Sequence, residues 1–133
     1  MAELIIALYS DDSSVRSSVK AALGKQLDAT LAIHEIKEFA TADALRLYVD
    51  SKKKVHLFIL DGEAVPEGGM GVARQLKDEV FNCPPVLLIT GRVQDNWLAA
   101  WSKAEATTSH PIDPFNLAAK CAALLKADSA LAK

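Results

Sequence analysis

Three short, almost unbroken apolar runs limit what this chain can fold into: Leu4-Ile5-Ile6-Ala7-Leu8-Tyr9, Val55-His56-Leu57-Phe58-Ile59-Leu60 and Val86-Leu87-Leu88-Ile89. Each is stopped by polar or glycine-containing sequence. A strand buried on both faces needs continuous apolarity of this kind, and such strands belong to parallel sheets. Segment 32–39 mixes Ile33, Ile36 and Phe39 with charged residues and reads as an edge strand, and Ala106-Thr107-Thr108-Ser109 reads as a weaker fifth strand.

Between these runs the apolar spacing switches to the helical period. Val15, Val19, Ala22 and Leu23 form a stripe ended by Gly24, with Ser13 as its expected N-cap. Thr41 heads a second helix carrying Ala42, Leu45 and Val49. Val72, Ala73, Leu76 and Val80 line a third, broken by Asn82-Cys83-Pro84-Pro85. Leu98 and Trp101 share the face of a fourth. Asp113-Pro114 reads as the start of a fifth, with Leu117, Cys121, Leu124 and Leu125 inward. Five strand–helix alternations with right-handed crossovers give an α/β fold, a doubly wound three-layer sandwich around a five-stranded parallel sheet of order 2-1-3-4-5. The expected domain covers residues 1–127, with 128–133 as a C-terminal tail.

Composition narrows the function. The chain has 133 residues, half of them apolar, and a net charge of −2. A chain of this size buries about two-thirds of its unfolded surface, enough for a core without disulfides or metal. No basic run exceeds Lys52-Lys53-Lys54, which argues against direct nucleic-acid binding and reads as a solvated loop. Cys83 and Cys121 lie far apart and suit buried thiols in a reducing compartment. The apolar run near the N-terminus is too short for a signal peptide or a membrane span, so a cytoplasmic protein is expected.

In an open parallel sheet, ligands gather beyond the carboxyl ends of the strands, at the switch point between the first and third. There the sequence places Ser10-Asp11-Asp12 after the first strand, Asp61 after the third, Thr90-Gly91 after the fourth and Ser109-His110-Pro111 after the fifth. Clustered carboxylates repel one another and call for a hard divalent cation, most simply Mg²⁺. A carboxylate beside Mg²⁺ and a hydroxyl can attack a phosphoryl group, because the metal offsets charge on the transferring oxygens.

In this arrangement the chain resembles the receiver domain of response regulators in two-component signalling, over roughly residues 4–125. The carriers are Asp11-Asp12, the strand ending Ile59-Leu60-Asp61, the strand ending Leu88-Ile89-Thr90-Gly91, and His110-Pro111-Ile112-Asp113-Pro114-Phe115. The resemblance implies that Asp61 accepts a phosphoryl group from a sensor histidine kinase or phosphotransfer protein. It further implies that Asp11, Asp12, Asp61 and the Glu63 backbone carbonyl hold Mg²⁺, and that Thr90 shifts toward the phosphoryl group. The face built by the fourth helix, fifth strand and fifth helix would then signal to a partner protein, with Trp97 and Trp101 as contacts. An effector domain after the fifth helix is not expected, so output is expected to belong to that partner.

Four departures mark the chain as an atypical member. His110 stands where the family has lysine, exchanging a permanent cation for a group with a reference pKa near 6.5; Arg92 is a candidate substitute. Counted back from Val15-Arg16, the acidic pair falls on Ser10 and Asp11; counted forward from the strand, it falls on Asp11 and Asp12. The loop after Asp61 is longer than usual, and Thr107 takes the place of an aromatic switch residue. A rival reading follows: a pseudo-receiver that is never phosphorylated and serves as a protein-interaction module. His34-Glu35-Ile36-Lys37-Glu38 approaches the H-E-x-x-H zinc motif but lacks its second histidine and lies in a strand. His56 reads as a strand residue without chemistry.

Overall fold

The computed structural model describes residues 2–28, 31–65, 67–91 and 100–127. The elements run β1 (Ala2–Tyr9), α1 (Ser13–Leu23), β2 (Gln26–Asp28), β3 (Leu31–Phe39), α2 (Ala42–Asp50), β4 (Leu57–Asp61), α3 (Gly69–Glu79), β5 (Val86–Thr90), β6 (Ala106–Ser109) and α4 (Pro114–Ala127). Residues 100–102 are also helical, at the end of the region expected to form the fourth helix of the sequence reading. Arg92, Trp97 and Leu98 lie outside the described residues.

The sheet order is β2-β3-β1-β4-β5-β6. The five expected strands follow the expected parallel 2-1-3-4-5 arrangement. The addition is β2, a three-residue strand that pairs antiparallel to β3 at the sheet edge. Gln26-Leu27-Asp28 has no apolar run, so the strand exists through its hairpin with β3 rather than through its own composition. The second run also starts later than its apolarity suggests, because regular pairing begins at Leu57.

Alternation along the central strands feeds two cores. Leu4, Ile6, Leu8, Leu57, Ile59, Leu87 and Ile89 face α1 and α4, where Val19, Leu23, Leu117, Cys121 and Leu125 meet them. Tyr9, Phe58, Leu60, Val86 and Leu88 face α2 and α3 with Leu45, Val72, Ala73 and Leu76. Burial pushes the Cys121 thiol up to about 12 and the Cys83 thiol up to about 11, so neither carries thiolate chemistry near neutral pH.

The helix ends are set by local chemistry. Asp12, not the expected Ser13, caps α1: its carboxylate accepts from the Ser14 N–H, and the helix begins at Ser13 itself. Thr41 caps α2, and Asp113 accepts from the N–H groups of Phe115 and Asn116 at the start of α4. Gly24 closes α1 at φ +60°, a conformation open to glycine without strain. The Ile5 carbonyl accepts from the His56 N–H at 2.8 Å, and the Ile5 N–H faces the same residue. His56 Nδ1 accepts that N–H at 3.0 Å, so this histidine completes the sheet.

A cavity of about 550 Å³ lies at the amino ends of β4 and β5, between the ends of α2 and α3. Val49, Val55, Phe58, Val80 and Pro84 form its apolar wall, and Lys52, Lys53 and Lys54 its rim. No helix among the described residues is long and apolar enough to cross a membrane.

Candidate functional site

Asp61 is the last residue of β4, next to Ile89 of β5, and its side chain is 3 % exposed. A buried carboxylate is tolerated only when donors replace its hydration. Three do so here. The Ser10 hydroxyl donates to Oδ2 at 2.8 Å, the Glu63 N–H donates to Oδ1 at 2.9 Å, and His110 Nε2 lies 3.2 Å from Oδ1. Among the described residues, no buried side-chain nitrogen or oxygen lacks a partner.

Each donor is positioned by the fold. Ser10 follows β1 directly; its backbone N–H donates to the Phe39 carbonyl, which carries the β1–β3 pairing one step past the strand. Its carbonyl accepts from Arg16 Nη1 at 2.6 Å, tying the acidic turn to α1. His110 follows β6, with its N–H on the Thr90 carbonyl and a cis bond to Pro111. Glu63 lies in a turn that α3 approaches closely. A Cβ on Gly69 would come within 2.7 Å of the Asp61 carbonyl oxygen, so the start of α3 admits only glycine without a backbone shift. The Glu63 carboxylate lies over Gly91, where a side chain would collide with it. Tyr9 anchors the far side of the loop through its hydroxyl on the Glu67 carbonyl at 2.5 Å. Burial, more than the nearby Glu67 carboxylate, raises the pKa of that phenol.

The remaining expected residues are distributed unequally. Asp11 is exposed and its Oδ1 accepts from the Val65 N–H at 3.2 Å, bridging the acidic turn to the loop after β4. Asp12 is engaged at the α1 cap instead, and the two Ser14 hydrogen bonds hold its carboxyl below the usual range. Ser10 and Asp11, rather than Asp12, are thus the residues of this turn that contact Asp61 and the loop after β4. Thr90 is fully buried beside the site, and its hydroxyl donates to the Thr108 carbonyl at 3.4 Å, not to Asp61. Trp101 is half exposed; Arg74 stacks 5.2 Å from its ring centre and donates to its carbonyl. Sequence reasoning gave Ser10 only a place in a register, and its contact with Asp61 depends on the β1–β4 pairing.

Among the described residues, no three of His, Cys, Asp and Glu come close enough to hold a metal ion. What remains for a hard cation is two carboxylates, Asp11 and Asp61, with the Glu63 carbonyl. That set fits Mg²⁺, which commonly keeps several waters and takes one or two carboxylates. It is a sparse set, and one position poorer than a turn with two acids facing the site.

A doubly wound sheet with a buried, hydrogen-bonded aspartate at its switch-point edge is the architecture of a receiver domain. An uncharacterized response regulatory protein of Mycobacterium tuberculosis, found in strains CDC 1551 / Oshkosh and H37Rv, is 48 % identical over 124 residues, covering 93 % of this chain and 92 % of the relative. The chain belongs to the response regulators and forms a receiver domain of two-component signalling. The BeF3-activated DrrB receiver domain shares the fold at a TM-score of 0.75 and 20 % identity, covering 94 % of this chain and 99 % of that one. The CheY-like receiver of Methanospirillum hungatei matches at a TM-score of 0.74 and 18 % identity, covering 97 % and 98 %. No family model matches the chain.

Proposed function

We propose that this receiver accepts a phosphoryl group on Asp61 and passes the change to a partner protein. The observation that carries the reading is the Asp61 carboxylate itself, ionisable, at the switch-point edge, and held by Ser10, Glu63 and His110. A carboxylate oxygen attacks the phosphorus of a donor phosphohistidine on a kinase or phosphotransfer protein; the P–N bond breaks as the P–O bond forms, and the donor imidazole, already protonated on its other ring nitrogen, leaves neutral. His110 is within reach to hydrogen-bond the new phosphoryl oxygens in place of the lysine common to the family. When bound by Asp11, Asp61 and the Glu63 carbonyl, Mg²⁺ would offset charge on the transferring oxygens. Trp101, half exposed beside Arg74, is the described residue best suited to partner contact, since tryptophan is enriched where binding energy concentrates.

The test is intact-mass spectrometry after incubation with acetyl phosphate and Mg²⁺. Wild type should gain one phosphoryl group and Asp61→Asn none. A folded wild type that gains nothing supports the pseudo-receiver instead. One observation favours that second reading: the Thr90 hydroxyl is committed to the Thr108 carbonyl.

A further inference from the structure

We propose that Ser10 is a positioning residue that holds the Asp61 carboxylate in a resting state needing no divalent cation, and so sets how strongly this site binds Mg²⁺. The inference deepens the reading of Asp61 as the acceptor.

Ser10 is fully buried and fixed at three points. Its backbone N–H is on Phe39, its carbonyl takes the Arg16 guanidinium, and its Oγ accepts the Asp12 N–H at 3.1 Å. With that donor on one side of the oxygen, the hydroxyl proton is directed to Asp61 Oδ2, 2.8 Å away. Together with Glu63 and His110, this gives the buried carboxylate three hydrogen-bond partners from the protein alone. An acid at position 10 would reverse the situation. Two like charges about 3 Å apart cannot both stay ionised in a buried site without a cation between them. Serine therefore removes both the repulsion that recruits a metal and one of the oxygens that would support it.

The test measures Mg²⁺ binding by titration calorimetry, with no phosphodonor, on the full chain and on Ser10→Ala and Ser10→Asp. Ser10→Asp is expected to bind Mg²⁺ at least about tenfold more tightly than wild type, the scale on which ligand-supporting residues act. Ser10→Ala, which leaves Asp61 one donor short, should fall between them. Without metal the thermal midpoint of Ser10→Asp should drop, and Mg²⁺ should restore it. A serine of merely structural importance would lower the midpoint in both variants, with no rescue by Mg²⁺. Equal Mg²⁺ affinity in wild type and Ser10→Asp overturns the inference. If Ser10→Asp gives no cooperative melt, Ser10→Ala decides, and affinity no greater than wild type overturns it. Acetyl phosphate labelling separates the two readings: an affinity order that holds in a wild type that takes no phosphoryl group keeps the Ser10 restraint and removes Asp61 as acceptor.

Discussion

The two ends of the one sheet differ in a way that volume would misjudge. The amino end holds a cavity of about 550 Å³ with three lysines on its rim, whereas the carboxyl end holds a hydrogen-bonded cluster around one carboxylate. At the amino end the charges cancel. Asp50 and Glu79 also line the cavity, and α2 and α3 both point their negative C-terminal ends at it. Lys52, Lys53 and Lys54 offset that field, which leaves little to select an ion. At the carboxyl end, three elements aim polar groups at a single buried atom pair. Convergence of donors on one ionisable group distinguishes a chemical site from a gap between helices.

The largest effect expected at the carboxyl end is complete loss of the phosphoryl adduct in Asp61→Asn, read by intact mass. At the amino end the largest effect is structural. Phe58 is 2 % exposed and forms the cavity floor, so Phe58→Ala should cost about 3–5 kcal/mol in a urea melt, the range for a large core truncation. Phosphoryl acceptance in the surviving folded fraction should match wild type. A loss of acceptance beyond the loss of folded protein would show that the two ends are coupled, and would break the contrast.

Much of this contrast was legible in the sequence. Continuous apolarity identified β1, β4 and β5 because burial on both faces leaves no room for polar residues, and with the strands came their ends, hence Asp61 and Thr90, whereas His110 followed from the weaker run Ala106-Thr107-Thr108-Ser109. What was not legible depends on pairing across the sheet. β2 has one apolar residue in three and exists only as the hairpin partner of β3. Asp12 and Ser13 are both good caps, and the choice between them follows from where the helix begins. Lys52-Lys53-Lys54 gave no sign of a cavity, since its apolar wall comes from Val49 of α2, Phe58 of β4 and residues just before β4 and after α3. The Ser10 hydroxyl could be counted to a position but not aimed, because its direction comes from Asp12 and Asp61 together.

Smaller changes sharpen the comparison. Tyr9→Phe removes the hydroxyl that holds the Glu67 carbonyl and leaves that acceptor unpaired. It should lower stability by about 1 kcal/mol, read by denaturant midpoint, and loosen the loop beside Asp61. His110→Lys should restore a permanent cation 49 residues along the chain from Asp61 but beside it in space, and raise the yield of adduct severalfold at fixed acetyl phosphate. An unchanged yield would mean that Ser10 and Glu63, not the missing lysine, limit acceptance.

The smallest effect belongs to the lysines. None of the three has an ion-pair partner among the described residues, and all three are exposed. Reversing two charges with Lys53→Glu and Lys54→Glu places acids beside Asp50 and at the negative end of α2, which is unfavourable, yet solvent screens charges at this exposure. Stability should stay within about 0.5 kcal/mol of wild type in a urea melt, and adduct yield should not change, because the sheet separates these residues from Asp61. A measurable fall in yield would mean that this cationic rim contributes to how the phosphodonor is met, and that chemistry is not confined to the carboxyl end of the sheet.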